Sequence, residues 1–156
     1  MTKKLLSTIL VIIGLATASL GQRKINFIIQ VNERLVVGEI SNIHFTFDSV
    51  NSNEKFPIDY SPGDLIISDE LWSKVNSDSS RPFFLIFDYN TITKSNHKIA
   101  NFFVELKSHN LLQRYSILNI YDFRNKKYKH WYQWHTDKDF LAELNYPNSG
   151  VKIRRS

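Results

Sequence analysis

The chain contains no cysteine. Disulfide frameworks, thiolate-held zinc and anchoring through a lipidated cysteine are therefore excluded. Glycine is scarce as well: beyond residue 21 only Gly38, Gly63 and Gly150 occur, far apart. That leaves no glycine cluster to cradle a phosphate. No G-x-S-x-G elbow presents a serine nucleophile, and no serine stands in a context that pairs it with His and Asp. Hydrophobic runs long enough to cross a bilayer, about 20 residues, are missing after residue 21.

What is present at the start is the stretch MTKKLLSTILVIIGLATASLGQ. Lys3 and Lys4 precede an apolar run from Leu5 to Leu15, and Ser19 and Gly21 stand at −3 and −1 of a cut before Gln22. This is the grammar of a secretory signal peptide covering residues 1–21. The expectation is an exported chain, periplasmic or extracellular, with no membrane span after cleavage. The remaining 135 residues suit one domain, 22–156. A domain of that size buries roughly two-thirds of its unfolded surface and needs no covalent staple.

Charge is unevenly spread. Residues 22–106 carry eight Lys/Arg against eleven Asp/Glu, a net of −3, and residues 107–156 carry ten against four, a net of +6. A basic C-terminal third suits an acidic partner or an anionic glycan, or it is a solvated sheet face. Export argues against nucleic acid.

Apolar residues recur at every second position along most of the chain, the signature of half-buried strands. The segments KINFIIQV (24–31), IHFTFDSV (43–50), LIIS (65–68), RYSILNIYDF (114–123), FLAELNY (140–146) and VKIRR (151–155) read this way; RLVVGEI (34–40) sits between the first two, with Gly38 a bend or bulge. FFLIFDYNTIT (83–93) is apolar enough for a central strand. Ser61-Pro62-Gly63-Asp64 is a turn, since proline presets φ and glycine accepts positive φ. Ser68 or Asp69 caps one short helix near 69–75. IANFFVELK (99–107) fits a helical stripe through Ile99, Phe102, Phe103 and Leu106, or a strand face through Ala100, Phe102, Val104 and Leu106; its aromatic content favours the strand. Turn signals every 8–12 residues and no β-α-β rhythm point to an all-β fold, an immunoglobulin-like antiparallel β-sandwich of about 7–9 strands, with a barrel as the alternative.

The most aromatic stretch is YKHWYQWH, 128–135, placed by its spacing as a hairpin strand after the RNKK turn. On a strand, Tyr128, His130, Tyr132 and Trp134 share one face, and Lys129, Trp131, Gln133 and His135 the other. His130 and His135 then point apart and cannot close on one metal. The aromatic face is either core or an exposed platform on which sugar rings stack, making Tyr128, Trp131, Tyr132 and Trp134 the candidate ligand-binding residues.

Other constellations are thin. Asp137 and Asp139 alternate like the start of a calcium loop, but the glycine and distal glutamate of such a loop are missing. His44, His97 and His109 are scattered, and Asp59, Asp64, Asp69 and Asp78 punctuate turns. Lys152, Arg154 and Arg155 form a basic edge, suited to contact an anionic surface or to block sheet-to-sheet association. The expectation is an exported, non-catalytic binding or structural accessory module with no cofactor and no metal. It would contact another envelope or secreted protein. The alternatives are a carbohydrate-binding module built on 128–134 and a hydrolase using Asp59, Asp64 and Asp137.

Overall fold

A computed structural model describes residues 21–93, 96–132 and 138–147. Along the chain run β1 (Gln22–Val31), β2 (Arg34–Leu35), β3 (Ile40–Phe47), β4 (Phe56–Pro57), β5 (Asp59–Ser61), β6 (Gly63–Ser68) and α1 (Asp69–Ser77). They are followed by β7 (Phe83–Thr93), β8 (Asn96–Leu106), α2 (Ser108–Leu111), β9 (Ser116–Asp122), α3 (Lys126–Trp131) and β10 (Phe140–Asn145). Two sheets pack face to face, as the alternating pattern requires. The first has the order β10-β9-β1-β6-β5, with β2 also on β1; the second has the order β4-β3-β7-β8.

Both sheets feed one core. Phe27, Ile29, Leu65, Leu118 and Ile120 from the first meet Phe45, Phe83, Leu85, Phe87 and Phe102 from the second. Several of the rings meet edge to face, Phe45 with Phe83 at 4.9 Å and Phe87 with Phe102 at 5.8 Å. Such pairs add about 0.5–1.5 kcal/mol beyond the area they bury. In β8 the buried residues are Ala100, Phe102, Val104 and Leu106, one strand parity, while Ile99 and Phe103 stay exposed. The segment is therefore a strand, and its register along β7 is unbroken from Phe83↔Leu106 to Thr93↔Asn96.

Local chemistry sets the turns. Asn32 and Glu33, with φ of 54° and 66°, form the tight turn from β1 to β2. Pro62 and Gly63, the latter at φ +99°, make the corner between β5 and β6. Ser68 caps α1 by accepting from the Leu71 N–H at 3.1 Å, and Leu71 and Val75 turn inward. One pair is not antiparallel: β9 lies parallel to β1, from Phe27↔Ser116 to Val31↔Ile120. Between β6 and β9 the chain builds α1, β7, β8 and α2, a crossover long enough for a parallel neighbour.

Val37 and Gly38 form the bend expected of the glycine between β2 and β3. Two expectations need correction. The described residues hold three short helices rather than one. The aromatic stretch is not a hairpin partner of β9: Lys126–Trp131 is helical, its N-terminus capped by Asn125, whose side chain accepts from the Lys127 N–H at 3.0 Å. The physical reason lies in the sheet. Both edges of β9 are already taken, one by β1 and the other by β10, so no ladder is left for residues 128–132 to join; residues 133–135 lie outside the described residues. A helix satisfies its own backbone instead.

On the other sheet, β8 is an edge strand, and the described residues cover its rim with two side chains. Arg124 donates from Nη1 to the Ile99 carbonyl at 3.3 Å while holding Asp122 through Nε and Nη2. The Phe140 ring reaches round from β10 to meet Phe102 at 5.1 Å and Phe103 at 5.4 Å, residues that point to opposite faces of β8.

Candidate binding groove

A helix rather than a strand changes which aromatics meet. Positions i, i+3 and i+4 share one helical face, so Tyr128, Trp131 and Tyr132 come together, whereas strand parity separates Trp131 from the other two. Tyr128 is only 3% exposed and packs with Tyr121 and Phe123 in a small second core, with Tyr132 against it. Its hydroxyl donates to the Asn32 carbonyl at 3.0 Å and lies 3.3 Å from Glu33 Oε2. Tyr128 thus pins the β1–β2 turn. Trp131, 44% exposed, carries the Lys127 ammonium 4.4 Å from its ring centre. Trp134, Gln133, His135, Asp137, Lys152, Arg154 and Arg155 lie outside the described residues.

The histidines stay apart. His97 Nε2 is 3.3 Å from Asn90 Oδ1, and the His109 ring faces Tyr146. Among the described residues no group of three or more His, Asp or Glu side chains gathers to hold a metal. The loop carboxylates are engaged locally: Asp69 with Arg23 at 2.7 Å, Asp64 with Lys24 at 3.6 Å, and Asp78 with Ser80. The Ser80 hydroxyl and N–H hold the Asp78 carboxyl below the usual aspartate range.

A different set of residues forms a concave site, on the outer face of the four-stranded sheet. Between Ser41↔Asp88 and His44↔Ile86 the β3–β7 register slips, so Asn42 and Ile43 both stand opposite Phe87. This is a β-bulge, and Asn42 sits in it at φ 53°, a conformation that costs a non-glycine residue free energy. The bulge aims the Asn42 amide along the sheet surface. Its Nδ2 donates to Asp88 Oδ2 at 2.6 Å, and Asn101 Nδ2 donates to Asp88 Oδ1 at 3.0 Å from the opposite side. His44 Nδ1 is 2.6 Å from the Asn42 carbonyl. A carbonyl only accepts, so this nitrogen carries the proton, and the ring clasps the bulge.

The loop after β3 forms the wall. Val50, Asn51 and Lys55 of the loop, and Pro57 of β4 beside its partner His44, line with Asn42, Asp88 and Asn101 a groove of about 460 Å³. Ile86 forms its apolar floor and is only 5% exposed although it points away from the core. The loop is tied at three places: Arg81 to Asp48 at 2.6 Å, Lys74 to Glu54 at 3.1 Å, and the Thr46 hydroxyl to the Ser49 carbonyl at 2.9 Å. A wall fixed before a ligand arrives costs less ordering entropy on binding. Among the described residues Lys55 makes no ion pair, so its charge is left at the groove.

The sequence carried a signal for this site. In ISNIHFTF the apolar parity is even at Ile40 and odd at Ile43, Phe45 and Phe47, and Asn42 stands at the break. Asp88 is the one charged residue of the very apolar β7. No protein-family model, curated protein or solved structure matches the chain. Fold and geometry alone define its class: a two-sheet β-sandwich with an amphipathic groove on one outer face.

Proposed function

We propose that this is an exported, non-catalytic binding or accessory module that meets an envelope or secreted component through the groove around Asp88. The observation that carries this reading is the strained bulge at Asn42. The bulge lets Ile40 and Ile43, on opposite parities, both pack on the core, and the same distortion places an amide against the only carboxylate among the groove-lining residues. Both oxygens of that carboxylate accept from amides, which fixes its orientation at the groove. Export is supported by the sequence of residues 1–21, a basic start, an apolar run and small residues before Gln22.

The test is site-directed photo-crosslinking in envelope extract of the source organism. A photoreactive amino acid in place of Lys55, on the groove wall, is compared with one in place of Glu70, on α1. Adducts from position 55 that disappear in Asn42→Gly are the expected result. Equal adducts from both positions, or adducts indifferent to Asn42→Gly, defeat the proposal.

A further inference from the structure

We infer that the groove takes a saccharide unit, gripping two neighbouring hydroxyls at Asp88 and resting the sugar's C–H face on Phe103. The inference rests on the groove being the binding site, and it names the chemistry of the occupant.

The polar part comes first. Asp88 is an acceptor, and the two amides held to it by Nδ2 turn their carbonyl oxygens away from it. Each amide nitrogen also has a second hydrogen to donate. The array therefore presents acceptors flanked by donors within a few ångströms. A vicinal diol has the matching pattern, because each hydroxyl donates once and accepts from a neighbour. A fully extended peptide strand points successive N–H groups to opposite sides, so in that conformation it does not set two neighbouring donors on one carboxylate.

The apolar part lies beside it. On the outer face, Asn101 is the cross-strand partner of Asp88, and Phe103 the partner of Ile86. Asn101 and Phe103 are two residues apart on one strand face, roughly 7 Å. That is the separation between the edge of a pyranose, where its hydroxyls lie, and the far side of its ring. Phe103 is 45% exposed, one of few large apolar side chains left in water, and its contact with Phe140 holds the ring in place. A fixed aromatic plane next to a cluster of hydrogen-bonding groups on an apolar floor is what a pyranose requires. Lys55, on the wall, sets a positive charge in the groove that also holds the Asp88 carboxylate, so sugars with and without a carboxylate are compared.

The test uses an array of neutral and uronic-acid glycans, followed by calorimetric titration of the strongest oligosaccharide. Asn42→Gly retains the left-handed bulge, since glycine accepts that φ, and Asn101→Ala removes an exposed amide, so both should fold. Thermal melts of each variant verify this. Roughly tenfold weaker binding in each, the loss of about one good polar contact, and a similar loss in Phe103→Ala are expected. Glycan binding that ignores all three substitutions overturns the inference. If no glycan binds at millimolar concentration while position 55 still crosslinks to a protein in an Asn42-dependent way, the saccharide is wrong and the groove reading stands. Absence of both removes the groove reading as well.

Discussion

Replacing Tyr128 with phenylalanine tests how the aromatic stretch is built into the fold. The ring is retained, so its contacts with Tyr121 at 5.6 Å and Trp131 at 5.7 Å survive, and only the hydroxyl is lost. That hydroxyl donates to the carbonyl of Asn32, in the left-handed turn between β1 and β2. Leaving a part-buried acceptor without its donor costs about 1–2 kcal/mol. For a domain of this size each kcal/mol lowers Tm by roughly 4 °C, so a drop of about 4–8 °C is expected. Tyr128→Ala also removes a ring that is 3% exposed and opens a cavity, raising the loss to about 3–5 kcal/mol. Urea unfolding followed by circular dichroism measures both, with Tyr115→Phe, an exposed ring, as a control expected within about 0.5 kcal/mol of the unsubstituted protein. A Tyr128→Phe protein as stable as that control, together with a Tyr128→Ala loss under about 1 kcal/mol, would refute the docked helix and the small aromatic core around it.

Two further outcomes concern the backbone. Gly63→Ala puts a Cβ into open space, yet at φ +99° it should cost about 1–2 kcal/mol from backbone strain alone, read as a shift in the urea midpoint. Glu39 accepts at Oε2 from the Gly38 N–H at 3.0 Å and the Val37 N–H at 2.8 Å, which hold its carboxyl below the ordinary value of 4.5. With its folded pKa lowered, its stabilising contribution is complete above pH 4.5 and is lost as pH falls through the lowered value. Glu39→Gln should therefore flatten the acid limb of the stability curve and leave its slope near neutrality unchanged.

The sheets were legible because their pattern is simple. In β8 the aromatic content of the segment favours a strand over a helix, and Ala100, Phe102, Val104 and Leu106 are buried on one parity accordingly. The helical aromatic stretch was not legible. Tyr128, Trp131 and Tyr132 fit a helix face as well as a strand, and what decides between them is the occupancy of both β9 edges, a fact of tertiary pairing. The groove was half legible. Asn42 marks a parity slip within β3, but its partners Asp88 and Asn101 are distant in sequence, and only the β7–β8 register sets them side by side.

The cover that Arg124 and Phe140 place over the rim of β8 has a consequence for how the molecule behaves in a crowd. An eleven-residue border with naked peptide groups would invite any extended chain to zip on, including another molecule of the same kind. Because one of the two guards is supplied by β10, fraying of that late strand would peel the seal away while most of both sheets stayed intact. Clumping, rather than unfolding, would then be the first visible failure.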